Sequence, residues 1–126
     1  DELTQAWQHQ LDLVIHHPEQ LRLFEATRID INVWLKINTG MNRLGLSLQD
    51  APAAYAKVIN MPHLKLQGIM SHFAGAEEPG GQSLFAQTTC FEALTKTWPY
   101  PKSLASSAAI IDYPKTYLDW VRPGIM

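Results

Sequence analysis

Apolar positions along the chain follow two rhythms. Short β-favouring runs stand at Leu11–Ile15, Asn32–Ile37 and Leu64–Met70, with weaker ones at Lys102–Ala105 and Trp120–Ile125. The first three are almost unbroken apolar stretches, which predicts strands covered on both faces. Between the runs the spacing becomes helical. One helix is predicted from Pro18, with Leu21, Phe24 and Ala26 turned inward. A second is capped by Asp50, carries Pro52 in its first turn, and sets Leu48, Ala51, Tyr55, Val58 and Ile59 on one side. A third is capped by Ser83, presents Leu84, Thr88, Phe91 and Leu94 as a stripe, and is stopped by Pro99 and Pro101.

Strand and helix in regular alternation predict βαβ units and a parallel sheet. No linker, repeat or low-complexity tract divides residues 1–126. Two α/β architectures fit, a doubly wound sheet and a (β/α)8 TIM-type barrel. No glycine-rich dinucleotide fingerprint follows the first strand, which removes the best argument for a nucleotide-binding doubly wound fold. A whole barrel takes about 250 residues, whereas this chain offers about five parallel strands. It is therefore a partial barrel or no barrel at all. In a barrel the strand C-terminal ends converge on one face, where barrel active sites lie.

Composition narrows the function classes. The 126 residues are 46% hydrophobic and 17% charged, as in a soluble globular domain. The formal net charge of −2 is spread along the chain without a basic stripe, which argues against nucleic acid as a partner. The apolar runs fall short of the ~20 residues that span a bilayer. Residues 1–20 carry Asp1, Glu2 and Asp12 and lack a basic start, so no signal peptide is read there. One cysteine, Cys90, excludes an intrachain disulfide, and the cytoplasm is the expected compartment. His9, His16, His17 and His63 are scattered, so His72 has no second histidine at metal-ligand spacing and no zinc site is expected.

Three polar clusters follow strands. In Lys36-Ile37-Asn38-Thr39-Gly40-Met41-Asn42-Arg43-Leu44-Gly45 a lysine ends an apolar strand, which is costly unless a partner or a lowered pKa relieves it. Arg43 can offer a planar fork to a carboxylate or a phenolate oxygen. The plain alternative is a loop with two solvated cations. The second cluster, Gly68 to Ala74, ends in Ser71-His72-Phe73-Ala74. His72 there is either a satisfied hydrogen-bonding residue or a site histidine. The third joins Ser106-Ser107-Ala108-Ala109 to Asp119-Trp120-Val121-Arg122-Pro123-Gly124-Ile125. The serine pair is either a helix cap or a place where free backbone N–H groups receive an anion.

In this order and at these separations the clusters resemble the barrel domain of alanine racemases, over nearly all of the chain and least in its first ten residues. The resemblance implies pyridoxal 5′-phosphate as cofactor, alanine as substrate, a homodimer, and supply of D-alanine for peptidoglycan. Carried over by position, Ser107 and the backbone near Gly124 and Ile125 hold the cofactor phosphate, and Ser106 stands where the family often has Asn. Arg122 donates to the pyridine nitrogen, with His72 hydrogen-bonded to it. Arg43 lies near the phenolic oxygen and the substrate carboxylate. Lys36 matches a lysine that is carbamylated in many members, and Asn38 replaces an Asp found in many. The family's two bases are a lysine in the first barrel strand and a tyrosine in a β-rich domain. Tyr55, Tyr100, Tyr113 and Tyr117 do not match that tyrosine, and no lysine here has the cofactor-lysine context. The chain is thus expected to be an internal piece of the barrel, inactive alone, with its first strands and C-terminal β domain absent. A non-catalytic pyridoxal-phosphate carrier shares a Val-Arg-x-Gly ending with Val121–Gly124, but gives Arg43 no task.

Overall fold

The computed structural model describes residues 2–76 and 80–124. Four strands, β1 (Leu13–Ile15), β2 (Ile31–Lys36), β3 (Leu64–Met70) and β4 (Lys102–Ser103), alternate with α2 (Gln20–Ala26), α3 (Ala51–Ile59) and α4 (Gln82–Thr95). A leading helix α1 (Glu2–Gln8), a short α5 (Ser107–Asp112) and a 3-10 turn (Pro114–Thr116) complete the order. All pairings are parallel and the strands lie in the sequential order β1-β2-β3-β4. A doubly wound sheet reverses its order at a switch point; this sheet never does. It is an arc of an α/β barrel.

Several sequence expectations are corrected. The expected fifth strand reduces to an isolated parallel bridge between Trp120 and Ser103, and residues 121–124 form no strand. β1 starts at Leu13 because the Leu11 N–H is taken by the Ala6 carbonyl at 2.8 Å, closing the end of α1. Ala26, Leu48 and Ile59 are exposed rather than inward-facing. Neither Asp50 nor Ser83 is a side-chain cap. The Ser47 hydroxyl accepts the Asp50 N–H at 3.0 Å, and α4 starts one residue before Ser83, behind Gly81 in the left-handed conformation.

Nor are the strands covered on both faces. Along β2 the buried residues Ile31, Val33 and Leu35 alternate with half-buried Asn32, Trp34 and Lys36. The buried set joins Phe24 of α2, Val58 of α3 and Phe91 of α4 in one core. The other set lines the opposite face of the sheet, where the Trp34 indole N–H donates to Asp12 at 3.2 Å and its ring meets Trp120 edge-on at 6.5 Å.

β3 carries a surplus residue. Val33 pairs with Leu66, yet Trp34 pairs with Gly68, so Gln67 is a bulge. A bulge changes which way the following side chains point, because side chains alternate with period two. Leu64 and Leu66 pair with the helix-side residues Ile31 and Val33, whereas beyond Gln67 it is Ile69 that pairs with helix-side Leu35, and Met70 pairs with Lys36. Gly68 takes the place under the Trp34 ring, where a Cβ would come within 2.3 Å of the indole.

Candidate active site

The loops after β2, β3 and β4 gather at one end of the sheet. The Asn38 side chain organises the first. Its Oδ1 accepts the N–H groups of Gly40 and Asn42 at 3.1 and 3.0 Å, and its Nδ2 donates to the Asn42 side chain at 3.0 Å. Asn42 can hold its positive φ of 57° because asparagine tolerates that region. The loop returns through Gly45 to Leu46, whose N–H donates to the Lys36 carbonyl at 2.8 Å.

The second loop is tied to the first through Ser71, a fully buried residue. Its hydroxyl donates to the Ile37 carbonyl at 2.7 Å and stands 2.8 Å from the Thr39 hydroxyl. A serine has one hydroxyl proton. With that proton on Ile37, Thr39 is the donor in the second contact. Sequence reading singled out Ser71 only as a neighbour of His72 and gave Thr39 no role.

Arg122 knits the third loop to the second. Its Nε donates to the Ser103 hydroxyl at 2.9 Å, while its Nη2 donates to the carbonyls of Ser71 and, at 3.3 Å, Leu104. Its Nη1 faces only the Met70 sulfur, at 3.7 Å. The Nε and Nη2 groups are thus spent on the scaffold, one Nη1 N–H goes to the sulfur, and the other is left to donate. The expected Arg122–His72 hydrogen bond is not formed. The guanidinium reaches the carbonyl of the preceding residue, Ser71, instead, and among the described residues the His72 ring has no hydrogen-bond partner.

The serine pair is not a cap. Ser106 occupies the N-cap position of α5 without a side-chain capping bond. The Ser107 Oγ accepts the Gly124 N–H at 2.8 Å, so its own proton remains free to be donated. His72, Ser106, Ser107, Arg122 and Gly124 surround one cleft of about 620 Å³, whose wall includes Met41 of the first loop. Arg43 stands apart. It is exposed and lines a neighbouring cleft with His16, His17 and Asn38. Ile125 lies outside the described residues.

Among the described residues, the charges acting on His72 are positive. Burial lowers the pKa of His72 below its ordinary 6.5, and the charges of Arg122, Lys36 and Arg43, in that order, lower it further. Burial likewise lowers Lys36, with Arg122 and Arg43 adding to the effect. Burial lowers Arg122 as well. His72 therefore gives up its proton more readily than a free imidazole. Replacing Lys36 with Met should raise the His72 pKa, and by less than removal of the Arg122 charge. Histidine-ring NMR titration reads both. An unmoved His72 in Lys36→Met would place Lys36 outside its surroundings. Among the described residues no group of three or more His, Cys, Asp or Glu side chains is arranged to hold a metal ion. No helix among them is long and apolar enough to cross a membrane.

Comparison with known proteins agrees with this architecture. The family model for the alanine racemase N-terminal domain matches residues 1–126. The alanine racemase of Nitrosospira multiformis is 45% identical over 129 aligned residues, which cover 100% of this chain and 36% of that protein. The crystal structure of the biosynthetic alanine racemase from Pseudomonas aeruginosa superposes with a TM-score of 0.89 at 36% identity, over 98% of this chain and 35% of that one. The Acinetobacter baumannii alanine racemase gives 0.86 at 30% identity, over 100% and 36%. The chain thus spans about a third of the length of the relatives it matches.

Proposed function

Because this chain belongs to the alanine racemase family through its N-terminal domain, we propose that it forms the cofactor-binding side of a pyridoxal-phosphate-dependent racemase acting on alanine as a homodimer. The observation that carries this reading is the convergence of His72, Ser106, Ser107, Arg122 and Gly124 on one cleft. The donor set fits the cofactor's two polar ends. The free Ser107 proton, the Ser106 hydroxyl and the open N–H groups of the first turn of α5 suit a phosphate. Arg122, which lines the cleft and keeps one Nη1 N–H undonated, suits the ring nitrogen. Pyridoxal phosphate, when bound, supplies an electron sink that makes the α-proton of an amino acid removable.

The chain's own residues then bind and orient. Arg122 does not surrender its proton at ordinary pH, so it leaves a ring nitrogen facing it unprotonated and favours return of the proton to carbon over side reactions. Neutral His72 adds no further cation beside it. Arg43, from the adjoining loop, receives the substrate carboxylate. Lys36, with its lowered pKa, presents an amine disposed to take up carbon dioxide as a carbamate, which would turn a cation beside Arg43 into an anion. Neither of the family's two bases matches a residue of this chain, so the chain by itself leaves the configuration of alanine unchanged.

The test is a chimaera in which these 126 residues replace the matching third of the Nitrosospira multiformis enzyme. The chimaera should convert L-alanine to D-alanine in the presence of pyridoxal phosphate, whereas the isolated chain should not. A folded, cofactor-loaded chimaera without racemase activity would sink the proposal. So would activity, or a borohydride-fixed adduct at one specific lysine, in the chain alone.

A further inference from the structure

Gln87 is a polar side chain in the middle of α4, 4% exposed and far along the chain from every residue assigned above. Its amide is fully engaged. Oε1 accepts the Ala74 N–H at 3.0 Å and Nε2 donates to the Ala74 carbonyl at 2.9 Å, so one side chain holds both backbone groups of one residue. Nε2 is also within reach of the Ser83 carbonyl at 3.2 Å and hydroxyl at 3.0 Å. The same side chain packs under the loop after β2. A Cβ built on Gly40 would lie 3.3 Å from the Gln87 Cγ and 3.4 Å from its Cδ. Ala74 itself lines the cleft, two residues beyond His72.

A helix that only needed to pack would place an apolar residue here, since burying an amide is costly unless every polar atom is matched. The match is to a loop, and that loop carries His72. We propose that Gln87 is a positioning residue that clamps the His72–Gly75 loop to α4 and fixes the height of the His72 ring in the cleft. Its importance to turnover rests on the racemase reading, but its effect on the loop does not. The surroundings of His72 support the assignment. The ring is partly buried and feels the charges of Arg122, Lys36 and Arg43, two residues from the point where Gln87 ties the loop to α4.

Two measurements on the 126-residue chain test the clamp, and neither needs cofactor. Gln87→Met keeps the length and removes both bonds to Ala74. Amide exchange at Ala74 should accelerate by about tenfold or more, the loss of a hydrogen bond to a buried partner. The Ser71 N–H, bonded to the Ser103 carbonyl at 3.1 Å, should exchange as before. The His72 ring should titrate closer to its ordinary value. Thr95→Val is the matched control. It also removes a buried hydrogen bond of α4, from the Thr95 hydroxyl to the Phe91 carbonyl at 2.8 Å, but touches no loop, and it should move neither readout. Where Gln87→Met does not fold, Gln87→Asn carries the same measurements, since it keeps an amide for Ser83 but is one methylene too short for Ala74. An unchanged Ala74 exchange rate and an unmoved His72 titration in a folded variant overturn the proposal, as would equal changes in Thr95→Val. An inactive chimaera would sink the racemase reading and leave these two results standing.

Discussion

Gly45→Ala is expected to lower the unfolding free energy by roughly 3–5 kcal/mol, a large share of what a domain of this size possesses. Two costs add at one residue. Gly45 has φ of 135°, a region where side-chain-bearing residues are strained. A methyl group there would also come within 2.6 Å of the Asn38 nitrogen and 2.8 Å of the Ile37 carbonyl carbon. Both are backbone atoms, and both belong to the segment that Leu46 pairs with, so neither can swing aside as a side-chain tip would. A urea titration of the variant beside the parent chain measures the loss. The damage should be local as well as global: relief of the clash displaces Asn38, and with it the two N–H groups of Gly40 and Asn42 that its side-chain Oδ1 holds. A midpoint within experimental error of the parent would mean that the return from Arg43 to Leu46 follows another path.

Arg122→Met should cost about 2–4 kcal/mol and change how stability depends on pH. Loss of the guanidinium leaves the Ser71 and Leu104 carbonyls and the Ser103 hydroxyl without their charged donor, in a place where Ser71, Ser103 and Leu104 are all buried. The electrostatic consequence has the opposite sign. In the folded chain the His72 pKa lies below its unfolded value, so between the two the unfolded chain binds more protons. Stability contributed by neutral His72 is therefore complete above the ordinary 6.5 and declines as the pH is lowered from there through the folded value. Without Arg122, the largest charge acting on the ring, the folded pKa rises and that acid-side decline shrinks. Denaturation at pH 7 and pH 5, with histidine NMR, separates the two effects. Arg122→Lys keeps a charge and gives up the fork, so it should hold His72 low while recovering little of the stability. Equal recovery of both by lysine would show that charge alone is what the scaffold needs.

How much was legible in the residues follows from the range over which each signal acts. β2 and β3 were readable within a residue because six or seven consecutive positions carry the pattern. Lys102–Ser103 and Trp120 were less so, since two residues and a single bridge leave almost no periodicity to detect. α1 escaped because its one buried residue, Ala6, draws no stripe. Ser106, Ser107, Arg122, Gly124 and His72, singled out by their resemblance to the family's motif, share a cleft. What no motif conveyed was how they are held. Arg122 is fixed by carbonyls, which every residue possesses, and a carbonyl's availability cannot be read from its letter. Gln87 is not part of the Leu84, Thr88, Phe91 and Leu94 stripe, and its partner Ala74 lies thirteen residues away, beyond the reach of any helical spacing. Asn38 was weighed for the charge it lacks, whereas in the fold it acts through the turn it makes.

The uneven count of residues between Val33–Leu66 and Trp34–Gly68 has an evolutionary corollary. A strand with a spare residue obeys two parities at once, one for each half, and the length of the segment becomes heritable information separate from its spelling. Substitutions at position 67 leave the count intact and are correspondingly permissible. Gain of a further codon beyond Leu66, with the bulge kept at one residue, would exchange inside for outside along the remainder of β3, setting Ile69 where Met70 now stands opposite Lys36, whereas loss of position 67 would leave a regular strand with the same partners. Descendants of this gene should therefore vary in the letter at that point, and even shed it, more readily than they add to it.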